Sequence, residues 1–205
     1  MNIQNRKNMK NKRSNRSTNG KNTEFYIVYT VAFLLIAFFL YMRFYLNGKS
    51  LVWSHDGVPQ HLNSLAYYGR YLRGILYTIL VEHRFSIPMW DLHIGYGSDI
   101  LTTLHYYVIG DPLTLLSVFC PSSKTEILYE FLIFLRIYLA GIAFSRYCFY
   151  HKNSRQATFM GCMIYIFAGW TIYAAMKHPY FSNPMIYLPL ILMGIDKIYK
   201  KERPY

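Results

Sequence analysis

Three clusters of carboxylate, imidazole, aromatic and glycine residues fall in one stretch of the 205-residue chain, between Trp53 and Asp111. The first is Trp53-Ser54-His55-Asp56-Gly57-Val58-Pro59-Gln60-His61, and the second is Met89-Trp90-Asp91-Leu92-His93-Ile94-Gly95-Tyr96-Gly97-Ser98-Asp99. The third is Tyr106-Tyr107-Val108-Ile109-Gly110-Asp111-Pro112. A long ordered loop of this kind is costly to fix and usually carries function. The chemistry these types support is group transfer. A carboxylate takes the proton of an attacking hydroxyl, and cations or hydrogen-bond donors hold a leaving group whose charge grows in the transition state. Asp56 is the candidate base, with His55 before it and Gly57 after it. It can equally cap a helix beginning near Pro59-Gln60, a duty that Asp performs well and that a proline in the first turn favours.

Trp90 and Tyr96, beside Gly95 and Gly97, suit a platform for a sugar or an isoprenoid, because glycine lets a ligand approach the backbone. An interfacial aromatic belt with a turn explains the same residues. Asp91, Asp99 and Asp111 are candidates for sugar hydroxyls or a divalent cation, but no Asp-x-Asp pair occurs in the chain. His55, His61, His83, His93 and His105 share the stretch, and no pair has the helical spacing of a zinc site. No metal site is assigned, and a divalent cation stays open as a cofactor.

The elements that must position these residues are membrane helices. The chain is 53% hydrophobic and 19% aromatic with 16% charged residues, and the apolar residues come in blocks, so it is an integral membrane protein. Cys120, Cys148 and Cys162 show no ligand-like or disulfide-framework spacing. The net charge of +12 suggests nucleic acid only until its placement is considered. Arg6, Lys7, Lys10, Lys12, Arg13, Arg16 and Lys21 lie in an Asn-rich leader, and residues 1–24 read as a disordered, basic, cytoplasmic tail.

Apolar runs predict four transmembrane helices at about 25–46, 127–150, 157–176 and 181–198. The first, preceded by a basic leader, is too long for a signal peptide and has no small-residue cleavage site after it. Between the first two spans, residues 47–126 form a large extracytoplasmic loop. Within it, Gln60 to Arg84 has helical apolar spacing interrupted by polar residues, which predicts an amphipathic helix on the membrane, or one packed on the other helices. Leu101 to Cys120 is long enough to cross but holds His105, Gly110, Asp111 and Pro112. Keeping it re-entrant or interfacial leaves the basic leader, the 151–155 loop and the basic tail on the cytoplasmic side. Residues 47–125 then carry five basic and five acidic residues outside. Four spans enclose so large a loop poorly, so the chain reads as the first part of something longer.

Arg136 lies about ten residues into the second span, where a charge costs roughly 2.5 kcal/mol or more. It holds a lipid phosphate, or it pairs with Glu130 or a polar group of another helix. Arg70 and Arg73 are alternative phosphate holders, or are simply drawn to anionic headgroups.

The order of motifs resembles the bacterial YfhO family. The resemblance rests on an Asp within ten residues of the first helix, Asp56-x-x-x-Gln60, and Trp90-Asp91-x-x-x-Gly95-x-Gly97. It continues in Tyr106-Tyr107, Asp111-Pro112-Leu113-x-x-Leu116 and the turn His178-Pro179, and covers roughly residues 25–200. It implies an all-α fold like that of the GT-C glycosyltransferases, truncated here. The implied activity moves a sugar from a polyprenyl-phosphate carrier to a cell-wall polymer such as lipoteichoic acid, at the bacterial cell membrane. It also implies Asp56 as catalytic residue, with Gln60, His61, Trp90, Asp91, Gly95, Gly97, Asp111 and His178 binding substrate. Family members carry more spans than this chain.

Two function classes follow. One is the N-terminal part of a lipid-linked glycosyltransferase. The other is a non-enzymatic polytopic protein, either a transporter or flippase part or an inactive remnant. A transporter places polar groups at the midplane of several spans. Here they gather in the outer loop, with Arg136 the exception, which favours the enzyme.

Overall fold

The computed structural model describes the backbone of residues 3–202 and the side chains of residues 22–202. The basic leader, expected as a disordered tail over residues 1–24, lies outside the described residues as far as the side chains of its first 21 positions go. Helix α1 (Ile3–Leu46) contains the first apolar run, Asn22–Leu46, of 25 residues. Helix α4 (Thr125–Tyr150) and the 3₁₀ turn ahead of it form the second, Ser122–Tyr150, of 29 residues. Both exceed the roughly 20 residues that span a hydrocarbon core.

These two helices meet along an aromatic seam. Phe25, Tyr29, Phe33, Ala37 and Tyr41 recur every fourth residue and are buried, so they form one stripe on α1. Phe25 meets Phe149, Phe33 meets Tyr138 and Tyr41 meets Phe134, with ring centroids 4.8, 5.2 and 5.1 Å apart. The Tyr29 hydroxyl donates to the carbonyl of Tyr138 at 2.8 Å. Gly141 makes that approach possible, since a β-carbon there would lie within 2.8 Å of the Tyr29 ring. The opposite face of α1, from Ile27 to Phe39, is apolar and exposed, as a lipid-facing surface is. Just beyond α1, Glu130 of α4 accepts from the backbone N–H of Leu51 and the hydroxyl of Tyr45, at 2.9 and 3.2 Å. That pins the start of the 47–126 loop.

The later spans are less regular than the sequence predicts. The run expected as one span over 157–176 is two helices, α5 (Arg155–Ile166) and α6 (Gly169–Lys177), bent by 45°. The chain extends at Ala168, and the Thr171 hydroxyl donates to the freed carbonyl of Tyr165 at 3.1 Å. A side chain satisfying a broken helical ladder is what lets such a kink persist in a membrane. After the 3₁₀ turn Pro179–Ser182, helix α7 (Asn183–Tyr199) has 17 residues and Pro189 inside it. Its length is about 26 Å, short of a hydrocarbon core of about 30 Å. Among the described residues, two helices are therefore long and apolar enough to cross, or three if α5 and α6 make one broken span. The fourth run, expected at 181–198, is a shorter helix packed along α4.

The loop of residues 47–126 is mostly helical. A π-helical turn, Gly57–Leu62, leads into α2 (Asn63–Leu80). A small antiparallel hairpin follows, β1 (Trp90–Asp91) with β2 (Ser98–Asp99), Trp90 opposite Asp99. The segment 101–120 makes no continuous crossing helix, in line with expectation. It forms α3 (Ile100–Leu104), a turn, and the 3₁₀ segment Pro112–Phe119. Helix α2 buries Leu65, Tyr68 and Gly69 and packs on that 3₁₀ segment. A β-carbon at Gly69 would stand 2.7 Å from the carbonyl of Ser117. The far end of α2, at Leu76, Tyr77 and Leu80, stays exposed and apolar. The packed alternative is thus realised along one face only.

Candidate functional site

Asp56 sits ten residues past the end of the first span, where the chain enters the π-helical turn. Its side chain makes no capping bond to that turn, so the capping alternative is not what this carboxylate does. Gly57 lets the turn fold back, with Val52 and Trp53 where a side chain would go. The carboxylate faces the α6–α7 corner instead. Oδ2 lies 3.9 Å from Nζ of Lys177 and 3.7 Å from Nε2 of His178. Gln60 donates to Oδ1 at 3.5 Å, and the hydroxyl of Tyr107 donates to Oε1 of Gln60 at 3.4 Å. His178 in turn meets His61, Nδ1 to Nε2, at 2.9 Å. Asp56 remains partly accessible, with 29% of its side chain exposed. Asp56, Gln60, His61 and His178 thus form one cluster from residues more than a hundred positions apart.

His61 is the buried member. Tyr106, Tyr107 and Tyr180 surround its ring at centroid distances of 6.4, 5.5 and 5.4 Å. Burial lowers its pKa to about 4, helped by the neighbouring His178 and by Arg136 and only partly opposed by Asp56.

Directly beneath lies a second polar group. Arg136 of α4 donates through Nη2 to Oδ2 of Asp111 at 2.5 Å and through Nε to Oδ1 of Asn183 at 3.1 Å. All three side chains are buried. Asp111 also accepts the N–H of Leu113 at 2.9 Å, capping the 3₁₀ segment. Arg136 therefore pairs with a polar group from the outer loop and another from α7, and Glu130 serves Leu51 instead. The lipid-phosphate role expected for Arg136 is corrected accordingly, because this guanidinium is 3% exposed and engaged by protein.

Over residues 28–205 the chain matches the family described as bacterial membrane protein YfhO. The chain belongs to the YfhO family. No curated protein and no solved structure matches it. The matched range takes in both polar groups and the hairpin, so each lies in the part of the chain that is YfhO-like.

The Trp-Asp-x-x-x-Gly-x-Gly string of this YfhO chain forms the hairpin, apart from the Asp56 cluster. Asp91 accepts the hydroxyl of Tyr67 at 2.5 Å, and the backbone N–H and Nδ1 of His93, both at 2.8 Å. Those donors, Tyr67 first, hold its pKa down at about 2. Gly95 and Gly97 take positive φ of 61° and 111°, which side chains resist. A β-carbon at Gly97 would also stand 3.2 Å from the Trp90 indole nitrogen. The glycines make the turn, and the more exposed Trp90 and Tyr96 flank it. Beside Trp90 and Asp91 opens a cleft of about 480 Å³, also lined by Tyr67, Arg70, Tyr71 and His93. It shares no lining residue with the small cavity of about 20 Å³ around His61 and Arg136.

Arg70 and Arg73 have different fates. Arg70 is exposed on that cleft, 5.9 Å over the ring of Tyr67. Arg73 donates through Nη1 to the carbonyls of Ser117, Val118 and Cys120 at 3.0, 3.3 and 2.6 Å. Those carbonyls end a helical segment, where backbone acceptors run out of intrahelical donors; Ser117 also accepts the N–H of Cys120 at 3.2 Å. Arg73 is therefore a structural clasp, and its phosphate role is corrected. His55, His93 and His105 bond to Ser54, Asp91 and the carbonyl of Thr102. Among the described residues no three His, Cys, Asp or Glu side chains gather as a metal site would need. Sequence reasoning placed Tyr107 in the third cluster without giving it a role, and missed Lys177 and Asn183 as site residues. For Lys177 the local signal was the His-Pro turn at His178-Pro179 beside it.

Proposed function

We propose that this chain forms part of a membrane glycosyltransferase that moves a sugar from a polyprenyl-phosphate carrier to a hydroxyl of a cell-envelope acceptor such as lipoteichoic acid. The observation that carries this reading is the Asp56 carboxylate. It stands ten residues past the end of the first span, does no capping, stays partly exposed, and faces a lysine and a histidine from the α6–α7 corner. A carboxylate and a cation side by side near a membrane surface suit a lipid phosphate presenting its sugar, which supports the reading.

In the proposed reaction Asp56 takes the proton of the acceptor hydroxyl as its oxygen bonds to the anomeric carbon. The bond from that carbon to the phosphate oxygen breaks, and the electron pair leaves with the phosphate. Lys177 offsets the charge that grows there. Asp56 later releases its proton to solvent. Gln60 and Tyr107 hold the carboxylate's orientation, and the cleft beside Trp90, Asp91 and Arg70 supplies an aromatic and polar wall for sugar. Substrate roles for Gly95, Gly97 and Asp111 become indirect: the first two shape the hairpin, and the third fixes Arg136. The orientation that suits this reading has the N-terminus cytoplasmic and residues 47–125 outside, as the basic clusters favour.

Asp56→Asn in the full-length protein tests it. The amide keeps the shape and removes the base, so polymer glycosylation should fall by about two to four orders of magnitude at unchanged protein level. Near-wild-type glycosylation would overturn the reading.

A further inference from the structure

The contact between His61 and His178 sets a constraint on protons that the reaction above does not use. Nε2 of His61 and Nδ1 of His178 are 2.9 Å apart, so one nitrogen carries the proton and the other accepts it. If Nδ1 of His178 were the donor, neutral His61 would carry its own proton on Nδ1. That atom is buried and has no hydrogen-bond partner, and an orphaned buried N–H is rarer than an orphaned acceptor. For a neutral His178, the Nε2 lone pair would also face the Asp56 carboxylate, 3.7 Å away, which is repulsive. A doubly protonated His178 removes the second penalty and keeps the first.

The opposite arrangement avoids both penalties. His61 donates from Nε2, leaving a bare Nδ1 in its cavity. His178 accepts at Nδ1 and presents Nε2–H to Oδ2 of Asp56. His61 is 3% exposed, and the surrounding tyrosine rings leave the imidazole little freedom to flip. Its low affinity for a proton in the fold keeps it neutral at physiological pH, so the arrangement does not depend on a charged His61. Arg136 from α4, a buried cation, also opposes protonation of His61.

We infer that His61 is a positioning residue: it fixes His178 as the tautomer whose Nε2–H faces the Asp56 carboxylate. The base is then aimed from behind by a chain of two imidazoles, one buried and one half-buried. The consequence for transfer rests on the proposed function, whereas the tautomer itself does not.

The test therefore has two arms. In the first, ring-nitrogen NMR is recorded on the full chain labelled with heavy-nitrogen histidine, in lipid nanodiscs at neutral pH and without substrate; His178→Gln assigns the signal. The expected pattern for His178 is a protonated Nε2 and a bare, hydrogen-bonded Nδ1. Glutamine carries its amide nitrogen near the Nε2 position and asparagine near Nδ1. His61→Gln should therefore preserve the pattern, while His61→Asn and His61→Leu should convert His178 to a mixture. A wild-type His178 protonated at Nδ1 overturns the inference, and so does an unchanged pattern in both the Asn and Leu variants. If the Leu variant fails to fold, the Gln and Asn pair decides. In the second arm, kcat for transfer should fall roughly tenfold or more in His61→Asn with KM little changed, and recover in His61→Gln. Equal kcat in the two amide variants overturns the positioning role. If instead Asp56→Asn transfers normally while the tautomer is as expected, the reaction assigned to the site fails and the histidine arrangement stands.

Discussion

Asp111 Oδ2 lies 2.5 Å from Nη2 of Arg136, and both side chains are almost fully buried, at 6% and 3% exposure. The pair ties the outer 3₁₀ segment to α4, and Asn183 adds α7 to the same guanidinium. An ion pair at this depth is weak evidence for net stability, but breaking it from one side is expensive because a charge is left unpaired. Asp111→Ala should therefore destabilise the fold by about 3–5 kcal/mol, and replacing both partners, Asp111→Leu with Arg136→Met, should restore most of that. Thermal unfolding in detergent measures both. A single variant that melts with the wild type would show that Arg136 finds another partner or solvent.

The same pair marks how far the sequence can be read. That Arg136 needs explaining follows from one charge within an apolar run. That its partner is Asp111 and not Glu130 depends on how α4 is rotated against the outer loop, which periodicity alone does not give. The runs at Phe25–Leu46 and Ile127–Tyr150 were legible because length and hydropathy dictate a span. The break at Phe167-Ala168 was not, since no proline marks it and its support comes from the Thr171 hydroxyl. Glycine and proline around Asp111 did reveal that residues 101–120 stay discontinuous. For the site, the Asp56 and Gln60 spacing was visible on one turn. Their meeting with His178, 117 positions from His61, was visible only through family resemblance. Arg70 and Arg73 looked alike in sequence, and tertiary contacts separate them.

The lowered pKa of His61 sets a pH dependence of stability. In the unfolded chain the group titrates near its ordinary value of 6.5, and in the fold near about 4. Between these values the unfolded chain binds the proton and the folded one does not, so acid favours unfolding there. Stability should fall as pH is lowered from 6.5 to 4, by up to about 3 kcal/mol from this group. Asp91, held down at about 2 from 3.8, contributes stability present above its ordinary value and lost as pH falls through about 2, a separate and lower window. Melting of the wild type and of His61→Gln across this range isolates the effect. The variant should lose the drop between 6.5 and 4; an identical profile would show that His61 titrates normally in the fold.

Orientation in the membrane is checked by labelling. With the first span leading out, a cysteine placed at Ser64 should react with a membrane-impermeant maleimide applied outside intact cells, and one placed at Asn153 should not. Asn153 lies in the exposed turn between α4 and α5, so a failure to label there reflects sidedness and not burial. Labelling of Asn153 from outside would place the 151–155 basic loop outside and reverse the topology after residue 101.

The two arginines of α2 give the last prediction, because one residue type three positions apart should behave in two ways. Arg73 ends the 3₁₀ segment with hydrogen bonds to three carbonyls and a longer one, 3.4 Å, to the Ser122 hydroxyl. Its loss takes this donor from three partly buried carbonyls, of which Ser117 keeps the N–H of Cys120, and hydrogen bonds from charged groups contribute about 1.5–3 kcal/mol each at most. Neighbouring bonds to one guanidinium do not add, so Arg73→Ala should cost about 2–3 kcal/mol in all. Lysine, with a single point charge in place of a planar fork, should recover only part of it. Arg70 reaches over Tyr67 at the open cleft, where an exposed cation–π contact contributes about 0.5–1 kcal/mol. Arg70→Ala should therefore leave melting nearly unchanged and instead raise KM for the glycosyl donor or acceptor. Equal losses of stability in the two alanine variants would contradict this division, and an unchanged KM in Arg70→Ala would remove the cleft from the substrate path.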